Sequence, residues 1–319
     1  MILFSLQANS QEAYKRTLKM MGSRFDITVV AKNNTIGQTY IENAVTEITR
    51  IENLISSWNS NSQTSLINKN AGIKAVRVDK ELYNLIERAL KISALTNGAF
   101  DISYASMDRI WKFDGSMTMM PSPQEIKNSV AKVGYKNIIL NPKNHSIFLT
   151  QKGMKIGFGA IGKGYAADKA KALLIKKGVV AGIINASGDL TTWGQQPDGK
   201  DWMVAITNPL NKQKAFSWLP VKNSAVVTSG NYEKFVKLND TRYSHIIDPR
   251  TGYPSTGIIS ASIFTKNAEL ADALATSIFV MGTEVGLDFI NQLKGVECVI
   301  IDEKNKVHTS KNIDLKTFE

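Results

Sequence analysis

Between residues 38 and 56 the apolar side chains Ile41, Val45, Ile48, Ile51 and Ile55 recur at helical spacing, which predicts a helix with one apolar face. Residues 80–96 repeat the pattern with Leu82, Leu85, Ala89 and Ile92. Asp79 suits the N-cap of that helix and Asn97-Gly98 its stop. Two more helices are predicted, over 162–177 with a stop at Gly178, and over about 268–281. Residues 24–31 alternate apolar and polar positions, as a half-buried strand does. The run 179–184 reads as a strand, and shorter strands are predicted at 201–207, 224–228 and 258–264, with a last pair around 297–308. Helices fall between groups of antiparallel-looking strands and do not alternate with them singly. That arrangement predicts an α+β fold, with largely antiparallel or mixed sheets and flanking helices. No internal repeat or low-complexity linker divides the chain, so one unit with two lobes is expected.

Composition narrows the picture. A hydrophobic fraction of 43% over 319 residues is ample for a substantial core. No apolar run reaches the eighteen or so residues of a membrane-spanning helix. Residues 1–8 make a short apolar start without a basic region; they read as an ordinary terminus or as the remnant of a signal segment. A single cysteine, Cys298, excludes internal disulfides and, with three scattered histidines, a Cys/His metal site. The net charge of +11 favours anionic partners. The basic residues are dispersed, and no basic-aromatic repeat points to nucleic acid. Anionic lipid and phosphate-bearing ligands stay open, beside the plain reading of the excess charge as a solvated surface.

The stretch Gly157-Phe158-Gly159-Ala160-Ile161-Gly162-Lys163-Gly164 opens the third helix. Backbone N–H groups bared by glycines at a helix N-terminus favour phosphate. As a dinucleotide fingerprint it lacks a strong preceding strand and an acidic residue about 20 positions on. As a P-loop it has Gly164 where a metal-binding Ser/Thr belongs. A phosphate loop of neither type, or a plain glycine turn, is left. Asp272 and Thr276 lie four apart, which stacks a carboxylate and a hydroxyl on one helix face. Such oxygens suit Mg²⁺, although an aspartate near a helix start also complements the helix dipole. His245 ends a strand beside the turn Asp248-Pro249-Arg250-Thr251-Gly252, placed for proton transfer or for an ordinary hydrogen bond. Thr228-Ser229-Gly230 and Ser187-Gly188-Asp189 are small loops at strand ends that suit phosphate or a simple turn. Trp58 and Phe100 could stack on a flat ring or sit in the core. No Gly-x-Ser-x-Gly elbow exists, which disfavours a serine hydrolase.

Taken in order, these pieces resemble the ApbE family of flavin transferases. Met21-Gly22-Ser23 is similar to the family's Met-Gly-Thr. Ser56-Ser57-Trp58 with Ser62, Ser65 and Asn68 is similar to its Ser-x-aromatic…Ser-x-x-Ser-x-x-Asn segment. Thr96-x-Gly98-Ala99-Phe100-Asp101, the glycine loop through Asp168, Ser187-Gly188-Asp189, Thr228-Ser229-Gly230, His245 to Gly252, and Ala271-Asp272-x-x-Ala275-Thr276 follow. The resemblance implies an ApbE-like domain over residues 16–315 behind a tail of residues 1–15. It implies an extended FAD cleft and Mg²⁺-assisted cleavage of the diphosphate. FMN would pass to a Thr or Ser hydroxyl of an acceptor flavoprotein, with release of AMP; hydrolysis of FAD, or binding without catalysis, is the alternative. Asp272, Thr276 and the carbonyls of Ala160 and Ala275 would hold the metal. Met21, Trp58, Ala99, Phe100, Asp101, Lys163, Asp189, Thr228 and Ile246 would bind FAD. His245, Asp272 and Lys163 would carry the chemistry. Trp58 stands where the family usually has tyrosine, Ser187 where it has glycine, and Gly157 where many members carry an acidic residue. Acceptors would be flavoprotein subunits of membrane redox complexes, and the working place periplasmic or on the cell surface.

Overall fold

The computed structural model describes residues 11–207, 215–231, 234–239 and 241–313. The apolar start at residues 1–8 lies outside them.

The chain enters as a hairpin, β1 (Glu12–Met20) and β2 (Ser23–Ala31). Met21 and Gly22 between them both take positive φ, 48° and 69°, the geometry of a two-residue hairpin turn. Residues 12–15, expected in the tail, thus belong to β1. Helix α1 (Asn34–Ile55) starts earlier than its apolar spacing suggests, because the Asn33 side chain accepts from Ile36 N and caps it. Then come α2 (Gln63–Lys69), β3 (Val76–Arg77) and α3 (Lys80–Leu95). A short helix α4 (Pro123–Ser129), closed by a Ser122/Glu125 capping box, precedes β4 (Ile138–Asn141) and β5 (Ser146–Leu149). Helix α5 (Gly162–Lys176) follows the glycine loop.

The second half is richer in strands: β6 (Gly182–Ala186), β7 (Asp189–Trp193), β8 (Trp202–Thr207), β9 (Ala215–Val221) and β10 (Ala225–Gly230). A small hairpin of β11 (Phe235–Leu238) and β12 (Thr241–Ser244) leads to β13 (Ile258–Thr265). Helices α6 (Ala268–Met281) and α7 (Thr283–Asn291) meet at Gly282 (φ 81°), and β14 (Glu297–Asp302) and β15 (Val307–Thr309) complete the described chain.

Eight strands form one sheet in the order β1-β2-β6-β7-β10-β13-β14-β15, and β3-β5-β4 form a small second one. Every pair among the described strands is antiparallel, so the α+β expectation holds.

Two cores pack against the large sheet. In the first, Phe25, Ile27 and Val29 of β2 meet Ile41, Ile48 and Ile51 of α1, Leu82 and Leu85 of α3, and Tyr165, Ala166 and Leu174 of α5. In the second, Val227, Ile263 and Ile300 meet Leu274, Ile278 and Phe279 of α6 and Ile290 of α7. The predicted strand at 179–184 begins only at Gly182. Val179 N still donates to Leu174 O at the end of α5, so the first residues of that apolar run close the helix instead of entering the sheet.

Candidate active site

A cleft of about 1220 Å³ opens where the loop before α5 meets α6 and the ends of β7 and β10. The loop is pinned from behind. Asn68 on α2 donates through Nδ2 to Ile156 O (3.0 Å) and accepts from Ile156 N at Oδ1 (2.8 Å). Ser106 makes the same two-way bond with the Lys155 backbone, at 2.8 and 2.7 Å. Gly157 N donates to Ile102 O at 2.9 Å, and Phe158 and Ile161 are buried. Ser62, N-cap of α2, donates to Ser56 O and thereby fixes the turn that carries Trp58. The Ser-x-x-Ser-x-x-Asn segment therefore builds the frame of the loop.

Gly164 explains why the loop is not a P-loop. A Cβ there would run into the carbonyl of Ala268 at the start of α6. No serine or threonine fits, and α5 and α6 cross backbone to backbone at that point.

This crossing brings the charged groups together. Lys163 Nζ donates to Asp189 Oδ2 at 2.5 Å, and Gly164 N donates to Asp272 Oδ2 at 3.3 Å. Asp189 is presented by the turn Ser187-Gly188, whose φ values of 57° and 101° close the β6–β7 hairpin. Asp189 and Asp272 are 2% and 4% exposed, and their carboxyls are near enough for each to act on the other. Burial and, next, the charge of Asp189 push the Asp272 carboxyl well above its ordinary range; Lys163 offsets part of this. Burial also raises Asp189. Burial disfavours the Lys163 ammonium, but Asp189 and Asp272 together hold its pKa above the ordinary value. Two carboxyls sharing one ammonium in a dry site favour either a shared proton or an added cation.

Asp272 does not cap its own helix. Asp168, on α5, does: its Oδ2 accepts from Glu269 N at 2.9 Å. The dipole reading of Asp272 is thereby replaced by one in which its carboxyl faces the loop and the cleft.

Most of the sequence-predicted residues line this cleft. Trp58, Ala99, Phe100, Asp101, Ala160, Lys163, Asp189, Thr228, His245, Ile246, Asp272 and Thr276 all do. Trp58 is 80% exposed, with the Arg109 guanidinium 5.0 Å from its ring centre, so the ring is available at the rim. Phe100 is buried. Asp101 spends its carboxylate on Ser103 N, Ser103 Oγ and Tyr135 N, each at 2.7 Å, so its main work is to hold the wall. Thr228 Oγ1 lies 2.8 Å from Ser262 Oγ. His245 Nδ1 lies 3.1 Å from Lys234 O; a carbonyl only accepts, so Nδ1 is the donor in that bond. Met21 and Ala275 lie off the cleft. Met21 packs on the first core near Gly162, and Ala275 is wholly buried in the second.

Sequence reasoning missed Tyr104 and Arg109, and it quoted Asp168 in a motif without reading its role. Tyr104 and Arg109 line the cleft from the segment after Asp101; neither belongs to a motif, and only the tertiary fold carries them there.

Among the described residues no three His, Cys, Asp or Glu gather as metal ligands. A cation here would take one carboxylate and complete its shell with the Thr276 hydroxyl, the Ala160 carbonyl, waters and a ligand's phosphate oxygens. That all-oxygen set with a single carboxylate is the pattern Mg²⁺ accepts, and the crowded acidic pair supplies a reason for a cation to enter.

The ApbE family model matches residues 21–300. The FAD:protein FMN transferase of Treponema pallidum is 30% identical over 316 residues, covering 94% of this chain and 87% of that protein. A transferase of the same name from Klebsiella pneumoniae is 28% identical, over 82% of this chain and 81% of its own length. Among solved structures, the ApbE protein of Thermotoga maritima superposes with a TM-score of 0.86 at 30% identity, covering 97% of this chain and 99% of that one. The flavinyl transferase ApbE of Pseudomonas stutzeri has the same fold, with a TM-score of 0.83 at 23% identity, covering 98% and 97%.

Proposed function

This chain belongs to the ApbE family, and we infer that it is an FAD:protein FMN transferase that moves FMN to a Thr or Ser hydroxyl of an acceptor protein and releases AMP. The observation that carries this reading is the meeting of Lys163, Asp189, Asp272 and the Gly164 amide at the start of α5, on the wall of a cleft of about 1220 Å³.

Each residue then has a task. Asp272, Thr276 and the Ala160 carbonyl would hold Mg²⁺. When bound, Mg²⁺ supplies positive charge that polarises the diphosphate and offsets charge on the departing AMP. Lys163, held in place by Asp189, puts its ammonium against the phosphoryl oxygens as they gain charge. The exposed ring of Trp58 offers a stacking surface for the isoalloxazine. His245 Nε2 or the Asp272 carboxylate takes the proton from the incoming hydroxyl.

Incubation with FAD, Mg²⁺ and a candidate acceptor tests the reading. Flavin fluorescence that stays with the acceptor in a denaturing gel, with AMP in solution and loss of both in EDTA, is the expected result. Free FMN with AMP would make the protein a pyrophosphatase, and unchanged FAD a binding protein. A flavoprotein subunit of a membrane redox complex as acceptor, and a periplasmic or cell-surface working place, rest on the family resemblance alone. Cell fractionation tests the second.

A further inference from the structure

Tyr104 stands in the cleft wall with its hydroxyl against the glycine loop. The fit is close: a Cβ on Gly159 would collide with that hydroxyl. The hydroxyl therefore lies directly against the Gly159 backbone, on the loop that lines the cleft. A phenol has one proton to give. The charges of Asp272 and of the Arg109 guanidinium both act on its oxygen. Arg109 itself lies over Trp58. Lys163, Tyr104 and Arg109 all line the cleft, and each can donate to an anion held in it.

We propose that Tyr104 is a substrate-binding residue that, from its place against the glycine loop, donates its O–H to a phosphoryl oxygen of the FAD diphosphate. The assignment rests on the transferase reading for the identity of the ligand and names a group outside the motifs that carry that reading. It also gives Gly159 a second reason to be glycine: any side chain there would push the phenol off the loop.

The test is titration calorimetry of the full chain with FAD and with ADP, in Mg²⁺, for the wild type, Tyr104→Phe and Trp58→Ala. Loss of a hydrogen bond to a charged oxygen weakens binding about tenfold or more. Tyr104→Phe is therefore expected to weaken FAD and ADP alike by that factor, at an unchanged Tm. Trp58→Ala is expected to weaken FAD and spare ADP. Unchanged ADP affinity in Tyr104→Phe overturns the proposal, and so does tighter ADP binding, which would make the phenol a plug against the glycine loop. Weakening of FAD alone also overturns it, by moving the contact to the flavin half. If the wild type binds neither nucleotide, the transferase reading falls and takes this assignment with it; in every other case the two are judged separately.

Discussion

Asp272 is held in an arrangement that burial and a neighbouring carboxylate make costly. It is buried beside Asp189 with one ammonium between them. Asp272→Asn removes the repulsion and keeps an oxygen for the Gly164 amide. Transfer should therefore vanish while Tm stays level or rises, a pattern expected of active-site groups; a fall of several degrees would contradict it. Asp189→Asn works the other way. It strips the nearest counter-charge from a largely buried Lys163 and should cost about 3 kcal/mol in a denaturant titration, together with activity. His245→Ala should abolish transfer with the fold intact. Gly164→Ser, which restores the P-loop letter, should destabilise the fold by at least about 2 kcal/mol, because the new side chain meets the Ala268 carbonyl. At this scale the sequence alone singled out Asp272, Thr276, Lys163 and His245. It could not show Tyr104, whose hydroxyl meets the glycine loop at Gly159, 55 residues on in the chain.

At the scale of elements, the loop before α5 has its shape because other elements hold it. Asn68 satisfies both backbone groups of the fully buried Ile156. Asn68→Ala leaves them unpaired, and chemical denaturation should show a loss of about 2–4 kcal/mol, with weaker FAD binding as the loop shifts. The long helices were legible, α1, α3 and α6 by their apolar spacing and α5 by its glycine opening and its stop at Gly178, and all four lie within a few residues of the prediction. Other elements left weaker signals. Strand β1, Glu-Ala-Tyr-Lys-Arg-Thr-Leu-Lys-Met, is an edge strand whose only fully buried residue is Met20, so its polar composition hides the alternation. Helix α7 follows α6 across a single glycine and merges with it in periodicity. The cap of α6 comes from Asp168 on another helix, a contact with no local sequence mark.

Across the whole molecule, α1, α3 and α5 are tied by one carboxylate. Glu81 meets Arg50 at 2.7 Å, the Tyr165 hydroxyl at 2.7 Å and Lys169 at 3.2 Å. The hydrogen bond from Arg50, with help from Tyr165 and Lys169, lowers its pKa from 4.5 to about 2 despite the cost of burial. A lowered carboxylate adds stability that is fully present above its unfolded value and fades as pH falls through the folded one. The loss should run from about pH 4.5 down to 2 and amount to about 1 kcal/mol, since solvent screens the partly exposed pair. Glu81→Gln should flatten that limb of the acid-unfolding curve. The same global view explains how the site was partly readable. The signature pieces are scattered from Met21 to Thr276, and only the sheet order β2-β6-β7-β10-β13, with α5 crossed by α6, gathers most of them around one cleft. Their order along the chain identifies the family, while their meeting in space is a property of the fold.

The central claim is that this cleft joins FMN to a protein hydroxyl with Asp272 at its heart. Intact-mass spectrometry of an acceptor after incubation with FAD and Mg²⁺ tests it most directly. The wild type should add one FMN to a single Thr or Ser, and Asp272→Asn should add none while keeping its fold. An acceptor left unmodified by the wild type, or modified equally by the variant, would contradict the account.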